Sequence, residues 1–246
     1  MGLRPVERRS VSGAAFDQIL GELVTGRLSP GATLPAERTL TETLKVNRQA
    51  VREALQRLAQ AGLVDIRQGG STRVLDYRAS ASLDLLPHLL ARPDGAPDPA
   101  TARSIMEMRA VLGPDVARLA AQRITTGGIE RLGAVLAEME AAEDDLELLV
   151  PLDLRFWDVL IEASDNIAYR LAFNSLRQTY EPLQDVLRWV LADELRDLDA
   201  HRAIAGAVTS GDESAAGEAA RRLLALGTTS MQRALATIAA DRKESP

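Results

Sequence analysis

The stretch Val46-Asn47-Arg48-Gln49-Ala50-Val51-Arg52-Glu53-Ala54-Leu55-Gln56-Arg57-Leu58, preceded by Leu34-Pro35-Ala36-Glu37-Arg38, decides the fold. Its apolar residues Val51, Ala54, Leu55 and Leu58 recur at three and four residues, the spacing of one helix face, and Asn47 stands where an N-cap belongs. Gly62 stops the pattern. Arg48 and Arg52 are four apart, so they share the face opposite the apolar one. A shorter helix is predicted from about Pro35, with Leu40 and Leu44 inward. The Lys45-Val46 turn joins the two into a helix-turn-helix.

Upstream, Ala15, Phe16, Ile19, Leu20 and Leu23 predict a first helix over roughly residues 12 to 26, closed by Gly26 and Ser29-Pro30-Gly31. Downstream, Leu63 to Arg67 and Thr72 to Asp76 read as two strands around Gln68-Gly69-Gly70-Ser71, a wing whose glycines permit positive φ. A helix with arginines near its N-terminus and a packed back can enter the major groove and offer bidentate donors to guanine. Arg38 is near enough to reach phosphate or a base edge, and the Gln68 wing suits phosphate or the minor groove. Two arginines on a solvated helix face are common, so the argument for DNA rests on order, spacing and wing together.

Charge follows the same division. Residues 1–78 hold 12 Arg and Lys against 8 Asp and Glu, and residues 79–246 hold 17 against 27, within a net charge of -6. A basic head on an acidic body places a polyanion at the head. Aromatic residues make up 3%, too few for a stacking platform on single strands. The 246 residues contain no cysteine, which removes disulfides, thiolate metal sites and thiol nucleophiles. No secretory pattern opens the chain and no long uncharged apolar run occurs, so a soluble, cytoplasmic protein without a membrane partner is expected.

In order over about 50 residues, Leu28-Ser29-Pro30-Gly31, Leu34 to Arg38, Val46 to Leu55, Leu58 to Leu63 and Gly69 to Thr72 resemble the DNA-binding domain of GntR-family bacterial transcription regulators. The resemblance implies operator contacts from Arg38, Arg48 and Arg52, with Gln49 beside them, a phosphate contact from Asn47, and Gly69 and Gly70 at the wing tip. Gln68 stands where the fatty-acid regulators of the FadR branch carry a histidine.

Pro87, Pro93, Pro97 and Pro99 mark residues 79–99 as a linker with room for one short helix at Leu83 to Leu90. Beyond it, alanine, leucine, glutamate and arginine dominate, and six helices are predicted at about 100–123, 127–143, 146–163, 165–190, 192–209 and 212–240. Short connections make them antiparallel neighbours in one bundle. The fold class is therefore mainly α: a winged helix-turn-helix over 1–78 and a helical bundle over 100–246.

Arg109, Asp153 to Phe156, Ala163-Ser164-Asp165-Asn166, His201 with Ile204, and Gly211-Asp212 resemble the ligand-sensing FCD domain of the FadR branch. Metal-containing members of that branch converge an Asp and three His. The matching positions here are Asp153, Trp157, His201 and Leu223. One carboxylate and one imidazole are too few for tight Zn²⁺ or Ni²⁺, so no bound metal and no cofactor are expected. Trp157 is expected to fill volume, and His201 to hydrogen-bond, with Asp153 as partner if both face inward.

The segment Ala163 to Tyr180, with Tyr169, Asn174 and Tyr180, resembles the acyl-CoA-responsive members of the branch. That resemblance assigns Arg109, Asn174 and Tyr180 to an effector site beside Asp153, Trp157 and His201. Tyr169, Phe173, Leu176 and Tyr180 also recur at helical spacing and read equally as core. The expected function is a homodimeric repressor on double-stranded operator DNA, released by long-chain acyl-CoA or fatty acid. A small organic acid held by Arg109 is the second effector reading, and a non-regulatory helical interaction protein the alternative of another class. With no nucleophile motif, an enzyme is not expected.

Overall fold

The computed structural model describes residues 11–67, 71–91, 97–180 and 184–244. It divides into two compact units, Met1–His88 and Leu89–Pro246.

In the first unit, α1 (Val11–Val24) buries Ala15, Phe16, Ile19, Leu20 and Leu23, the residues whose spacing predicts it. The second helix, α2 (Glu37–Leu44), begins two residues after Pro35 and ends at Lys45, which takes the left-handed conformation with φ 53°. The third, α3 (Arg48–Gln60), starts at Asn47, whose side-chain oxygen accepts from the Ala50 N–H at 2.8 Å. Its buried residues Ala50, Val51, Ala54, Leu55 and Leu58 form the back of the helix-turn-helix. Gly62 follows with φ +72°, and a Cβ there would stand 2.4 Å from the Ser80 carbonyl oxygen. Only glycine satisfies both demands.

Strands β1 (Val64–Ile66) and β2 (Thr72–Val74) pair antiparallel, Val64 opposite Val74 and Ile66 opposite Thr72. Past the wing come α4 (Tyr77–Ser80), a 3-10 turn (Leu83–Leu85) and α5 (Leu86–Leu90). Much of the segment read as linker therefore carries structure. Its first part packs on the head: the His88 ring lies 4.9 Å from that of Phe16, and Ser80 Oγ donates to the Gly62 carbonyl at 2.6 Å. Pro87 is compatible with α5 because it sits in the first turn, where its missing N–H has no helical partner to lose.

In the second unit, side-chain caps set the helix starts. Asp98 caps α6 (Pro99–Arg123), Thr125 caps α7 (Thr126–Ala141) and Asp145 caps α8 (Leu146–Ala163). Two predicted helices are corrected. The expected helix over 165–190 is α9 (Ile167–Tyr180) and α10 (Gln184–Val190), with a proline at 182 in the sequence between them. The expected helix over 192–209 is α11 (Ala192–Arg196) and α12 (Leu198–Ser210), because Asp197 turns its carboxylate onto the Ala200 N–H at 2.9 Å and starts a new helix. The last helix, α13 (Glu213–Glu244), runs against α6 and α12. Phe156, Leu149, Leu160, Ile204 and Leu223 fill the centre. Among the described residues no helix is long and apolar enough to cross a membrane.

Candidate DNA interface and effector site

On the first unit, α3 presents its N-terminal turn outward. Arg48 and Arg52 have side chains 76% and 66% exposed, and Arg38, Asn47 and Gln49 are exposed beside them. Glu37, at the start of α2, reaches both arginines: Arg48 Nε donates to Oε2 at 3.4 Å, and Arg52 Nε lies 3.5 Å from Oε1. Gln49 donates to Glu53 at 3.0 Å. Asn47 has its carbonyl oxygen engaged as the cap, leaving its amide N–H₂ as the group able to meet phosphate. The expected wing contacts Gln68, Gly69 and Gly70 lie outside the described residues.

On the second unit, α6, α8, α9 and α13 line a half-open cavity of about 60 Å³. Its wall is mainly apolar, including Leu112, Val116, Ile161, Phe173 and Leu224, with Arg109, Asp153, Trp157 and Tyr180 among its polar members. Asn174 is exposed on α9 and does not line it. His201 lies behind Asp153, fully buried.

The buried polar groups form two hydrogen-bonded sets that act on each other only electrostatically. His201 Nδ1 lies 2.8 Å from the Asp197 carbonyl and Nε2 3.1 Å from Asp153 Oδ1. Both partners are acceptors, so the ring is best satisfied as an imidazolium donating twice. Burial opposes that charge, but the Asp153 carboxylate and the Asp197 carbonyl outweigh it, and the His201 pKa is raised. Arg109 Nη2 donates to Glu194 Oε1 at 2.5 Å, with the guanidinium carbon 6.0 Å from the Tyr180 ring. Burial works against the Arg109 charge, and Glu194, Tyr180 and Asp153 together more than offset it, while burial also raises the pKa of Glu194 against the pull of Arg109. Burial pushes the Tyr180 hydroxyl up to about 12, so it stays protonated and able to donate.

Sequence reasoning missed Glu194. In Asp193-Glu194-Leu195-Arg196 it is one of several charges at the start of the helix expected over 192–209, yet its side chain is 0% exposed. Room for it comes from Gly227 on α13, where a Cβ would stand 1.9 Å from Oε2. Arg109, expected as a free anion partner, is therefore already paired.

Family models match both units. Residues 12–74 match the description "Bacterial regulatory proteins, gntR family", and residues 104–226 match the FCD domain. The HTH-type transcriptional regulator Mce2R of Mycobacterium tuberculosis is 42% identical over 96% of this chain and 97% of its own length. The chain belongs to the GntR family, with an FCD domain. A fatty acid metabolism regulator protein of Edwardsiella ictaluri is 31% identical over 71% of each chain. The solved structure of Lar, which controls expression of the Listeria monocytogenes agr system, covers 93% of this chain at 17% identity with a TM-score of 0.54, a likeness of fold alone.

The protein is thus a DNA-binding transcription regulator of the GntR type and not an enzyme. The tetrad of the metal-containing FCD members does not fit here. Trp157 and Leu223 offer no ligand atom, and Asp153 and His201 already bond each other. Among the described residues no group of three or more His, Cys, Asp and Glu side chains is placed to hold a metal ion.

Proposed function

We propose that the protein is a homodimeric, cytoplasmic repressor whose operator contacts come from Arg38, Arg48, Arg52, Gln49 and Asn47, and whose body responds to an acyl-chain effector. The exposed arginine face of α3 carries the first half of this reading. Base-edge donors on one small head read only a few base pairs, and a two-fold pair of heads doubles the site.

The effector half rests on the cavity wall. An apolar lining with few polar groups suits an alkyl chain, and a relative 31% identical is named a fatty acid metabolism regulator. The volume of about 60 Å³ is below that of a drug-sized pocket, so a long chain enters only if a wall gives way. That wall is α9, which supplies Tyr169, Phe173, Leu176 and Tyr180 to the lining. Displacement of α9 by the chain is the step that binding would transmit. A small organic acid fits the volume better, but it would meet an Arg109 whose charge Glu194 already balances.

Sedimentation, followed by footprinting on an operator selected from random duplexes, tests the assembly and the DNA half. A dimer near twice 26.5 kDa protecting two half-sites about one helical turn apart is expected. A monomer at micromolar concentration, or a single protected half-site, contradicts it.

A further inference from the structure

Glu37 is a carboxylate on a surface that meets a polyanion. Residues 1–78 carry 12 Arg and Lys against 8 Asp and Glu, and Glu37 faces both arginines of the exposed α3 face. A negative charge there costs attraction for phosphate, and solvent-exposed ion pairs return little stability. As the first residue of α2 it also complements the helix dipole, after an Ala36 that makes no side-chain cap. That role needs no contact with α3.

The contact atoms point to a second role. Arg48 Nε donates to Glu37 Oε2 at 3.4 Å, and Arg52 Nε stands 3.5 Å from Oε1. Among the described residues the terminal Nη groups of both arginines have no hydrogen-bond partner. A guanidinium offers a bidentate fork from its side edge, Nε with one Nη, or from its end edge, Nη1 with Nη2. Glu37 takes the side edge of each and leaves the end edge, which fits the O6 and N7 acceptors of guanine. Charge sharpens the choice. Two arginines and one carboxylate sum to a single positive charge, so a phosphate, itself an anion, loses attraction. The guanine edge is neutral and loses far less.

We propose that Glu37 is the positioning residue for sequence specificity: it occupies the Nε edges of Arg48 and Arg52, weakens their pull on phosphate, and leaves their end edges to read guanines in the operator half-site. The inference rests on the operator contacts proposed above for the two arginines and names what keeps them off the DNA backbone.

The test uses the full-length protein, an operator selected from random duplexes, and a scrambled duplex of equal length, with anisotropy read over a range of salt. The wild type is expected to lose about tenfold in operator affinity when the half-site guanines are replaced by 7-deazaguanine, which lacks the N7 acceptor. Glu37→Gln keeps the side-chain length and removes the charge. It should bind the scrambled duplex more tightly, with a log–log salt slope steeper by about 0.9 for each arginine that turns to phosphate. The ratio of operator to scrambled affinity should fall by about tenfold. A Glu37→Gln protein with the wild-type slope and ratio overturns the inference while the arginine contacts stand, and a lowered melting temperature alongside would leave Glu37 to the α2 terminus alone. A wild type indifferent to 7-deazaguanine overturns the guanine reading of Arg48 and Arg52, and this inference with it. If Glu37→Gln does not fold, Glu37→Asp, which draws the carboxylate back from both Nε atoms, decides by the same ratio.

Discussion

Arg48 on α3 donates to Glu37 on α2 at 3.4 Å, across eleven residues of sequence, and Arg52 approaches the other oxygen of the same carboxylate. The two arginines of the exposed helix face thus converge on one carboxylate. Both pairs are solvent-exposed, so they contribute little to stability. Their effect is on direction, since a fork aimed before DNA arrives loses less side-chain entropy on binding.

Arg48→Ala should therefore weaken operator binding by about 1–3 kcal/mol, the loss of one bidentate base contact, and weaken random-duplex binding by less. Fluorescence anisotropy with both duplexes at one salt concentration checks this. Equal losses on the two would assign Arg48 to the phosphate backbone.

The buried pair in the body predicts the opposite balance, stability rather than recognition. Arg109→Met strands the Glu194 carboxylate in the core and should cost on the order of 3–5 kcal/mol in urea unfolding. Adding Glu194→Leu should recover most of that loss, because replacing both partners by apolar groups is often neutral. A double variant no more stable than Arg109→Met would show that the two residues are not coupled.

The elements of the head were legible because their signals are local. Asn47 caps within three residues of itself, and Gly62 sits where the chain needs φ +72°. In the body, Asp197 had the same local chemistry but stood inside a run of good helix formers, so the break it makes was read through. Arg109, Asp153 and Trp157, which the sequence points to, line one cavity, whereas Asn174, on the same helix as Tyr180, turns to solvent. Glu194 had no local signal at all. Its burial depends on Arg109, 85 residues earlier, and on the missing side chain of Gly227.

His201 gives a pH signature. Its pKa is raised in the folded protein, so the stability it contributes is fully present below the ordinary value of 6.5 and is lost as pH rises through the folded value. The difference in melting temperature between wild type and His201→Gln should therefore be largest below pH 6.5 and shrink toward alkaline pH. A difference that grows with pH would mean that His201 is neutral in the fold.

With Trp157 and Leu223 at the positions of would-be ligands, a chelator should leave the melting temperature unchanged, and metal analysis after chelator-free dialysis should find well under one equivalent. Stoichiometric zinc or nickel would require donors other than Asp153 and His201.

The central claim is that filling the body cavity releases the head from DNA. Titration of acyl-CoAs of increasing chain length against the operator-bound dimer, read by anisotropy of the labelled duplex, tests it most directly. Each added CH₂ is worth about 0.8 kcal/mol until the cavity is filled, so the concentration for half-release should fall steeply with length and then level off. Release also requires the effector to bind the DNA-free arrangement more tightly, since equal affinity shifts nothing. A response flat across chain length, or release by a small hydroxy acid alone, would contradict the account.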